Sequence, residues 1–208
     1  MDPVLLYYVT DRSQFPGDEN GRREALIANI TEAARCGVDL IQLREKDLSS
    51  RELESLAHAA VKATRQHSGK TRLLINSRTD IAIACGADGV HLRSEDVSPM
   101  DVCSAWMVTG AELPYIGVSC HTRQEVAKAI SDGADFVVFA PVFEKKGAVA
   151  AGIAALRDAC RENIPVIALG GVTTENAKSC IEAGAAGIAG IRLFQQNDVS
   201  EVIKKLRG

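Results

Sequence analysis

Aromatic residues are scarce in this sequence, and other features that mark particular protein classes are missing. Phe, Trp and Tyr together make up 4% of the 208 residues, and no basic run is interleaved with them. Acidic and basic residues are mixed along the chain, and the formal net charge is −3. Nucleic-acid-binding proteins usually present a basic, aromatic-containing surface. We therefore expect no nucleic-acid partner.

Long apolar runs are also missing. No stretch approaches the ~20 apolar residues that a helix needs to cross a bilayer. The first residues, MDPVLLYYVTD, lack the positively charged segment of a signal peptide and lead directly into a strand-like run. These features predict a cytoplasmic protein with no membrane partner.

The cysteines lack the spacing of a metal site or a disulfide framework. There are six, none in a CxxC pair: Cys36, Cys85, Cys103, Cys120, Cys160 and Cys180. Reduced and mostly buried thiols explain this scatter. Cys120 differs from the others because it lies at a predicted strand end beside His121.

What the sequence does contain is a fourfold internal repeat, in which a helix end, a glycine and an apolar strand follow one another. The copies read AARCGVDLIQL, IACGADGVHL, ISDGADFVVF and IEAGAAGIAGI. Glycine suits the left-handed position that ends a helix, and an apolar run suits a strand buried on both faces. The repeat glycines are Gly37, Gly86, Gly133 and Gly184.

One more strand-like run precedes each copy, at 5–10, Arg72–Asn76, 115–119 and 165–169. Amphipathic helices are predicted between the strands, over 21–36, 49–67, 78–86, 98–108, 122–132, 149–163, 173–184 and 197–207. Such alternation requires parallel strands with right-handed crossovers, and eight repeated units favour a closed barrel over an open sheet. The prediction is an α/β fold, a (βα)8 TIM barrel, with residues 1–208 as a single domain. The polar run 13–21 is the longest loop and is interpreted as a lid.

Active sites of such barrels lie at the carboxyl ends of the strands, so the residues that follow each strand are the candidates. After the second strand, alternation points Gln42, Arg44 and Lys46 to one side, toward the barrel mouth. Two cations there suit an anionic substrate. The alternative is that Glu45 and Asp47 pair with them on the rim.

Polar residues also end the next three strands. Asn76 could bind a planar heterocycle or cap the following helix, and Asp96 could ligate a hard cation or cap a helix. His91 points inward, either as a core residue or as a functional one. His121 is the candidate general acid or base because imidazole titrates near neutrality; its alternative is a structural residue at a helix start.

The last two strands end in residues typical of an anion site. Gly170 and Gly171 precede a helix that starts with threonine, and Ile191 and Arg192 follow the eighth strand. Backbone N–H groups at a glycine turn and at a helix start bind phosphate, and barrels often place a phosphate at this position. The sequence therefore predicts a phosphate site here.

Taken together, several motifs resemble the thiamine phosphate synthase/TenI family, from Leu6 to about Phe194. They are YYVTD, IQLREKD, INSRTDIAIACGADGVHL, SED, IGVSCHTRQEV, GADFVVFAPVFE, ALGGVTTENA and AGAAGIAGI. The resemblance implies the same barrel and small phosphorylated thiazole and pyrimidine substrates. Synthases of the family join an aminopyrimidine diphosphate to thiazole phosphate, with magnesium assisting the loss of diphosphate.

The resemblance also implies roles for individual residues. The residues that face the diphosphate are Gln42, Arg44 and Lys46, those beside the pyrimidine are Asn76 and Ser119, the metal ligand is Asp96, and those that hold the thiazole phosphate are Gly171, Ile191 and Arg192.

Three departures from the synthase pattern favour a TenI-like thiazole tautomerase slightly. Ser77 stands where synthases have aspartate, Arg192 stands where they have serine, and the loop 141–147 lacks their threonine clamp. A tautomerase would shift a proton through His121 and need no metal.

Two alternatives stay open. The first is a synthase with Mg²⁺ at Asp96, in which Lys145 and Lys146 replace the missing clamp. The second is a non-catalytic relative that binds a phosphorylated ligand. The predicted catalytic set is His121, Ser119 and Lys46, and a homodimer is left open.

Overall fold

Eight parallel strands form a closed barrel in this computed structural model, which describes residues 3–144 and 149–208. They follow one another around the barrel in chain order, and the last pairs with the first. The strands are β1 (Leu5–Val9), β2 (Leu40–Leu43), β3 (Arg72–Asn76), β4 (Gly89–Leu92), β5 (Tyr115–Cys120), β6 (Phe136–Phe139), β7 (Val166–Ala168) and β8 (Gly187–Gly190). The predicted (βα)8 barrel is confirmed.

Helices alternate with the strands and surround them. They are α1 (Glu19–Cys36), α2 (Ser50–His67), α3 (Thr79–Cys85), α4 (Pro99–Met107), α5 (Arg123–Ser131), α6 (Gly152–Ala159), α7 (Ala177–Glu182), α8 (Arg192–Gln195) and α9 (Val199–Arg207). In the described part of the chain, none of them combines the length and apolar character that a bilayer crossing requires.

Three details of the helix prediction are wrong. The helix predicted over 149–163 begins only at Gly152, whose φ of +85° does not allow a right-handed helix to extend further back. The one predicted over 173–184 is shorter because Asn176 folds the preceding residues into a turn, accepting from the Thr173 N–H and donating to the Gly171 carbonyl. The short helix α8 was not expected.

The polar run 13–21, interpreted as a loop and a lid, is mostly helical. A 3-10 turn covers Arg12–Gln14, and the Asp11 carboxylate accepts a hydrogen bond at its start. Helix α1 begins at Glu19, capped by the carboxylate of Asp18. Only 15–18 remain between these two elements, which is too short for the loop that was expected.

The strands separate two apolar layers. Outward-facing side chains pack against the helices, and inward-facing ones fill the barrel: Tyr7, Leu40, Leu74, Phe136, Val138, Ile167 and Ala189. Successive side chains of a strand point to opposite faces. Gln42 and Asn76, each two residues beyond an inward-facing leucine, therefore reach the barrel mouth.

The cysteines are all free thiols, as predicted. Cys120 lies in β5, is fully buried and belongs to the outer layer. Burial, with a smaller effect of Glu125, raises the pKa of its thiol to about 12. It is therefore an inert core residue and not a partner of His121.

The fourfold repeat ties neighbouring strands together in a way that sequence analysis did not anticipate. Each repeat glycine has a positive φ, between +66° and +106°. Two residues later, an aspartate accepts a hydrogen bond from an amide of the preceding strand: Asp39 from Leu6 (2.7 Å), Asp88 from Leu73 (2.6 Å) and Asp135 from Ile116 (2.7 Å). The fourth repeat has Ala186 at this position. Three of the four strand pairs are thus joined by a carboxylate at their amino ends.

We expect Asp88→Ala to lower the free energy of unfolding by about 1–2 kcal/mol, because a strand amide loses a charge-assisted hydrogen bond. Urea denaturation measures the change. Asp158→Ala is the matched control, since its carboxylate pairs with the surface arginines Arg123 and Arg161 and should contribute less than about 0.5 kcal/mol. Equal losses in the two variants would contradict the assigned role.

Candidate functional site

Arg12 organises the segment that follows β2. Its guanidinium forms two hydrogen bonds with Asp47 (2.7 and 2.8 Å), one with Glu45 (3.1 Å) and one with Glu19 (2.9 Å). Glu45 is buried and also accepts from the Thr10 hydroxyl (2.6 Å) and the Arg12 backbone N–H. Both acidic side chains of the segment 44–47 are therefore directed away from the barrel mouth and toward Arg12.

The two cations of the same segment, Arg44 and Lys46, are left without these carboxylates, and their orientation toward the mouth stays a prediction from alternation. Arg44 and Lys46 form no ion pair within residues 3–144 and 149–208, so pairing with Glu45 and Asp47, the alternative, is not observed. The charge of Arg44 lowers the pKa of Lys46, and partial burial and Arg93 lower it further. Neighbouring positive charges that repel each other favour an anionic ligand.

Two amide side chains lie beside these cations. Gln42, which is 3% exposed, donates through Nε2 to Oδ1 of Asn76 (3.2 Å). Asn76 donates in turn to the Ser77 hydroxyl (3.1 Å). Helix α3 has no side-chain cap, so Asn76 does not cap it. Its amide belongs to the floor of the mouth.

Ser77, directly after β3, and Asp96, after β4, are joined by a hydrogen bond. Ser77 has a φ of +59° and donates its hydroxyl to Oδ2 of Asp96 (2.6 Å). Asp96 also accepts from the backbone N–H of Arg93 (2.8 Å) and from its guanidinium (2.9 Å). Burial alone would raise the pKa of Asp96, but these hydrogen bonds outweigh it and lower the pKa. Asp96 does not cap α4, whose cap is Ser98.

His91 lies inside the barrel and connects the core to the site. It is 3% exposed, with Nδ1 3.1 Å from the Tyr7 hydroxyl and Nε2 2.8 Å from the Ser119 hydroxyl. Burial, assisted by the charge of Arg44, lowers its pKa to about 3, so the ring is neutral near pH 7.

The direction of these hydrogen bonds follows from Tyr7. Its buried hydroxyl proton needs an acceptor, and Nδ1 of His91 supplies one. Nε2 of His91 then carries the proton and donates to Ser119. The Ser119 hydroxyl proton is left for a ligand in the mouth. His91 therefore acts on the site through Ser119.

His121 is exposed just beyond β5. Its Nδ1 is bonded to the carbonyl of Ala140, which only accepts, so Nδ1 carries the proton and Nε2 is the basic nitrogen. Its backbone N–H bonds the Glu125 carboxylate. Thr122 and Glu125 form a capping box at the start of α5. The position suits a proton carrier at the mouth, and that role stays a prediction.

The glycine turn after β7 is tightly enclosed. Gly170 and Gly171 have φ values of +97° and +66°. A Cβ on Gly171 would lie 2.8 Å from Cβ of Phe143. Ile191 precedes α8, and Arg192, its first residue, is exposed. β7 and β8 are neighbours, so the glycine turn and the start of α8, whose first N–H groups lack helical acceptors, follow adjacent strands. That they form a phosphate site stays a prediction.

Two predicted site residues cannot be compared with the structure, and three residues that shape the site were not predicted. Lys145 and Lys146 lie outside the described residues, so their roles remain predictions. Sequence analysis missed Arg12, Tyr7 and Asn176. The only local signal was for Asn176, whose spacing from Thr173 is typical of a turn that a side chain closes.

A separate cavity lies at the amino ends of β3 to β5. It has a volume of about 570 Å³ and is lined by residues that include Arg72, Trp106 and Tyr115. None of the predicted site residues contributes to it. The chemistry-bearing side chains are grouped at the opposite, carboxyl end of the strands.

Comparisons with known proteins identify the family of the chain. Residues 6–194 match the family model described as thiamine monophosphate synthase. A Geobacter sulfurreducens protein provisionally named a thiamine-phosphate synthase is 43% identical over 88% of this chain and 83% of its own. The thiamine-phosphate synthase of Syntrophomonas wolfei is 36% identical over 97% and 94%. The thiamine phosphate pyrophosphorylase structure from Pyrococcus furiosus superimposes with a TM-score of 0.82 at 29% identity, covering 98% and 94%.

Proposed function

The chain belongs to the thiamine monophosphate synthase family of enzymes, and from that premise we propose that it joins an aminopyrimidine diphosphate to a thiazole phosphate. The observation that carries the proposal is that Arg12 binds both carboxylates of the segment 44–47, which leaves the mutually repelling charges of Arg44 and Lys46 for an anion. The names of the similar proteins support a synthase more than the tautomerase that sequence analysis slightly favoured.

The diphosphate would bind at the two cations. Arg44 and Lys46 repel each other in the free protein, and an anion with several oxygens relieves that repulsion. The same charges stabilise the leaving group more than the intact substrate, because negative charge builds up on diphosphate as the C–O bond breaks.

The pyrimidine would lie over the amides of Gln42 and Asn76. Their hydrogen-bonded pair offers donors and acceptors in a fixed geometry, which suits the edge of a planar heterocycle. The Ser119 hydroxyl, held by His91 from behind, would donate to the same ring. These contacts orient the carbon from which the diphosphate leaves.

The thiazole phosphate would occupy the cradle formed by Gly171, Ile191 and Arg192 at the far side of the mouth. In the reaction, the C–O bond to diphosphate breaks with both electrons leaving on the oxygen. The lone pair of the thiazole nitrogen then forms the new C–N bond. No proton is transferred in this step, so the contribution of the protein is charge and orientation.

Magnesium fits this site only together with the diphosphate. Asp96 and the Ser77 hydroxyl are hard oxygen donors 2.6 Å apart, and no cluster of three or more His, Cys, Asp or Glu lies within the described ranges. Magnesium is commonly held by one or two carboxylates plus substrate phosphates. Asp96 would hold the ion in exchange for the Arg93 guanidinium, and the ion would add positive charge to the leaving group.

His121 supports a second candidate, the tautomerase. Its Nε2 is the basic nitrogen of an exposed ring fixed by Ala140, as the acid or base of a proton shift requires. In that function, the cradle at Gly171 would hold the phosphate of a thiazole carboxylate phosphate, and no metal would be needed.

We expect thiamine phosphate to form when the protein is incubated with both substrates and Mg²⁺. Lys46→Ala should lower kcat/KM for the pyrimidine diphosphate about 10- to 100-fold, because one cation that faces the leaving group is lost. The KM for thiazole phosphate should change little. Product formation followed by chromatography measures both.

Lys62→Ala is the matched control, since this exposed lysine lies on the outer helix α2. Absence of product at high enzyme concentration would reject the synthase. Aromatisation of the thiazole tautomer would then support the second candidate, and tight binding of thiazole phosphate without turnover would support a non-catalytic relative.

A further inference from the structure

The segment 44–47 carries two positive and two negative side chains in alternation, and the structure separates them by sign. Arg12 forms ion pairs with Glu45 and Asp47. These two carboxylates are therefore not paired with Arg44 and Lys46. Arg12 comes from a different part of the chain, the turn after β1. Its side chain is 6% exposed, which is unusual for arginine and shows that the surrounding structure encloses it.

We propose that Arg12 is a positioning residue that withholds the carboxylates of the 44–47 segment from Arg44 and Lys46. It thereby keeps both cations available for an anionic group with several oxygens. This inference rests on the proposed anion site at those cations. Arg12 itself makes no contact with substrate in this scheme.

Asp47 is the carboxylate whose release matters most. Its side chain is 72% exposed, and two parallel hydrogen bonds from the Arg12 guanidinium hold it. Without these two hydrogen bonds, the exposed Asp47 carboxylate, which is next to Lys46 in the chain, is free to turn toward the Lys46 ammonium group and neutralise its charge. Glu45 is less free to move, because it is buried and is also held by the Thr10 hydroxyl and a backbone N–H.

Arg12 also contributes to stability, and the two roles make different predictions. Loss of its guanidinium leaves the buried Glu45 with less countercharge, which destabilises the fold whatever Asp47 does. A purely structural role predicts that ligand affinity follows stability. The positioning role predicts that neutralising Asp47 restores affinity without restoring stability.

The test uses inorganic diphosphate as the probe, titrated calorimetrically without divalent metal ions. Arg12→Met should weaken binding about five- to tenfold, because the released carboxylate competes with the ligand for the cations. The double variant Arg12→Met with Asp47→Asn should bind within about twofold of wild type while keeping the lowered thermal midpoint. Asp47→Asn alone should change affinity less than about twofold, since Arg12 already binds this carboxylate.

Arg35→Met is the matched control, because Arg35 forms its ion pair with Glu32 within α1; the affinity of this variant should equal that of wild type. If Arg12→Met does not fold, Arg12→Lys replaces it. Lysine cannot form the two parallel hydrogen bonds to Asp47, so the same rescue by Asp47→Asn is expected. Failure of the rescue overturns the inference and leaves the anion site intact. No diphosphate binding by wild type overturns the anion site and the inference together.

Discussion

Gly171→Ala should reduce kcat/KM for thiazole phosphate by about 100-fold or more, because it disrupts the proposed phosphate cradle. The added Cβ would lie 2.8 Å from Cβ of Phe143 and 3.1 Å from the carbonyl oxygen of Glu144. Either the glycine turn or the segment after β6 must move, and the backbone at φ +66° is itself unfavourable for alanine. Steady-state kinetics and calorimetric binding of thiazole phosphate measure the effect.

Gly86→Ala separates backbone strain from the loss of the cradle. Gly86 has the same φ of +66°, but a Cβ there meets nothing closer than 3.7 Å, and it lies at the opposite end of the barrel. We expect a stability loss of about 1 kcal/mol with unchanged kinetics. Thiazole phosphate binding to Gly171→Ala with wild-type affinity would show that the phosphate lies elsewhere.

When the pH is lowered from 6.5 to 4.5, the free energy of unfolding should fall in the wild-type protein by about 2–3 kcal/mol more than it falls in His91→Gln. The pKa of His91 is about 3 in the folded protein, against an ordinary value of 6.5. The unfolded chain therefore takes up a proton on this residue below pH 6.5, whereas the folded protein does not until near pH 3. The stability contributed by neutral His91 is lost as the pH falls through this window.

Urea denaturation at several pH values between 7 and 4.5 measures the difference in slope. Glutamine keeps a polar side chain between Tyr7 and Ser119 but does not titrate. His58→Gln, on the exposed face of α2, should keep the wild-type slope. Parallel slopes for wild type and His91→Gln would show that His91 is not a buried neutral residue.

Most of the fold could be predicted from the sequence because its signals are local. The repeat glycines end helices wherever they occur, and the apolar runs after them form strands. Alternation then placed Gln42 and His91 on the inner face of the barrel, where the structure has them. These inferences depend only on neighbouring residues.

The charge arrangement of the site could not be predicted in the same way. Arg12 meets Glu45 and Asp47 only because β1 and β2 are adjacent in the barrel, and a sequence does not state which carboxylate an arginine will choose. The same holds for Asp96, whose partners include Ser77 from the neighbouring strand. Pairing of Glu45 and Asp47 with the cations beside them in sequence was only the alternative interpretation, and the more distant arginine that binds both carboxylates was not foreseen.

Because the fourth repeat lacks the aspartate, β7 and β8 are joined by fewer hydrogen bonds than the other strand pairs of the repeat. Ala186 offers no carboxylate to β7, and the ladder between β7 and β8 is short, with only Ile167 facing Gly187 and Ala168 facing Ile188. We expect local opening of the barrel to occur most readily between β7 and β8. The glycine turn follows β7 and α8 follows β8. The two segments that would bind the thiazole phosphate are therefore attached to the strand pair that we expect to open most easily.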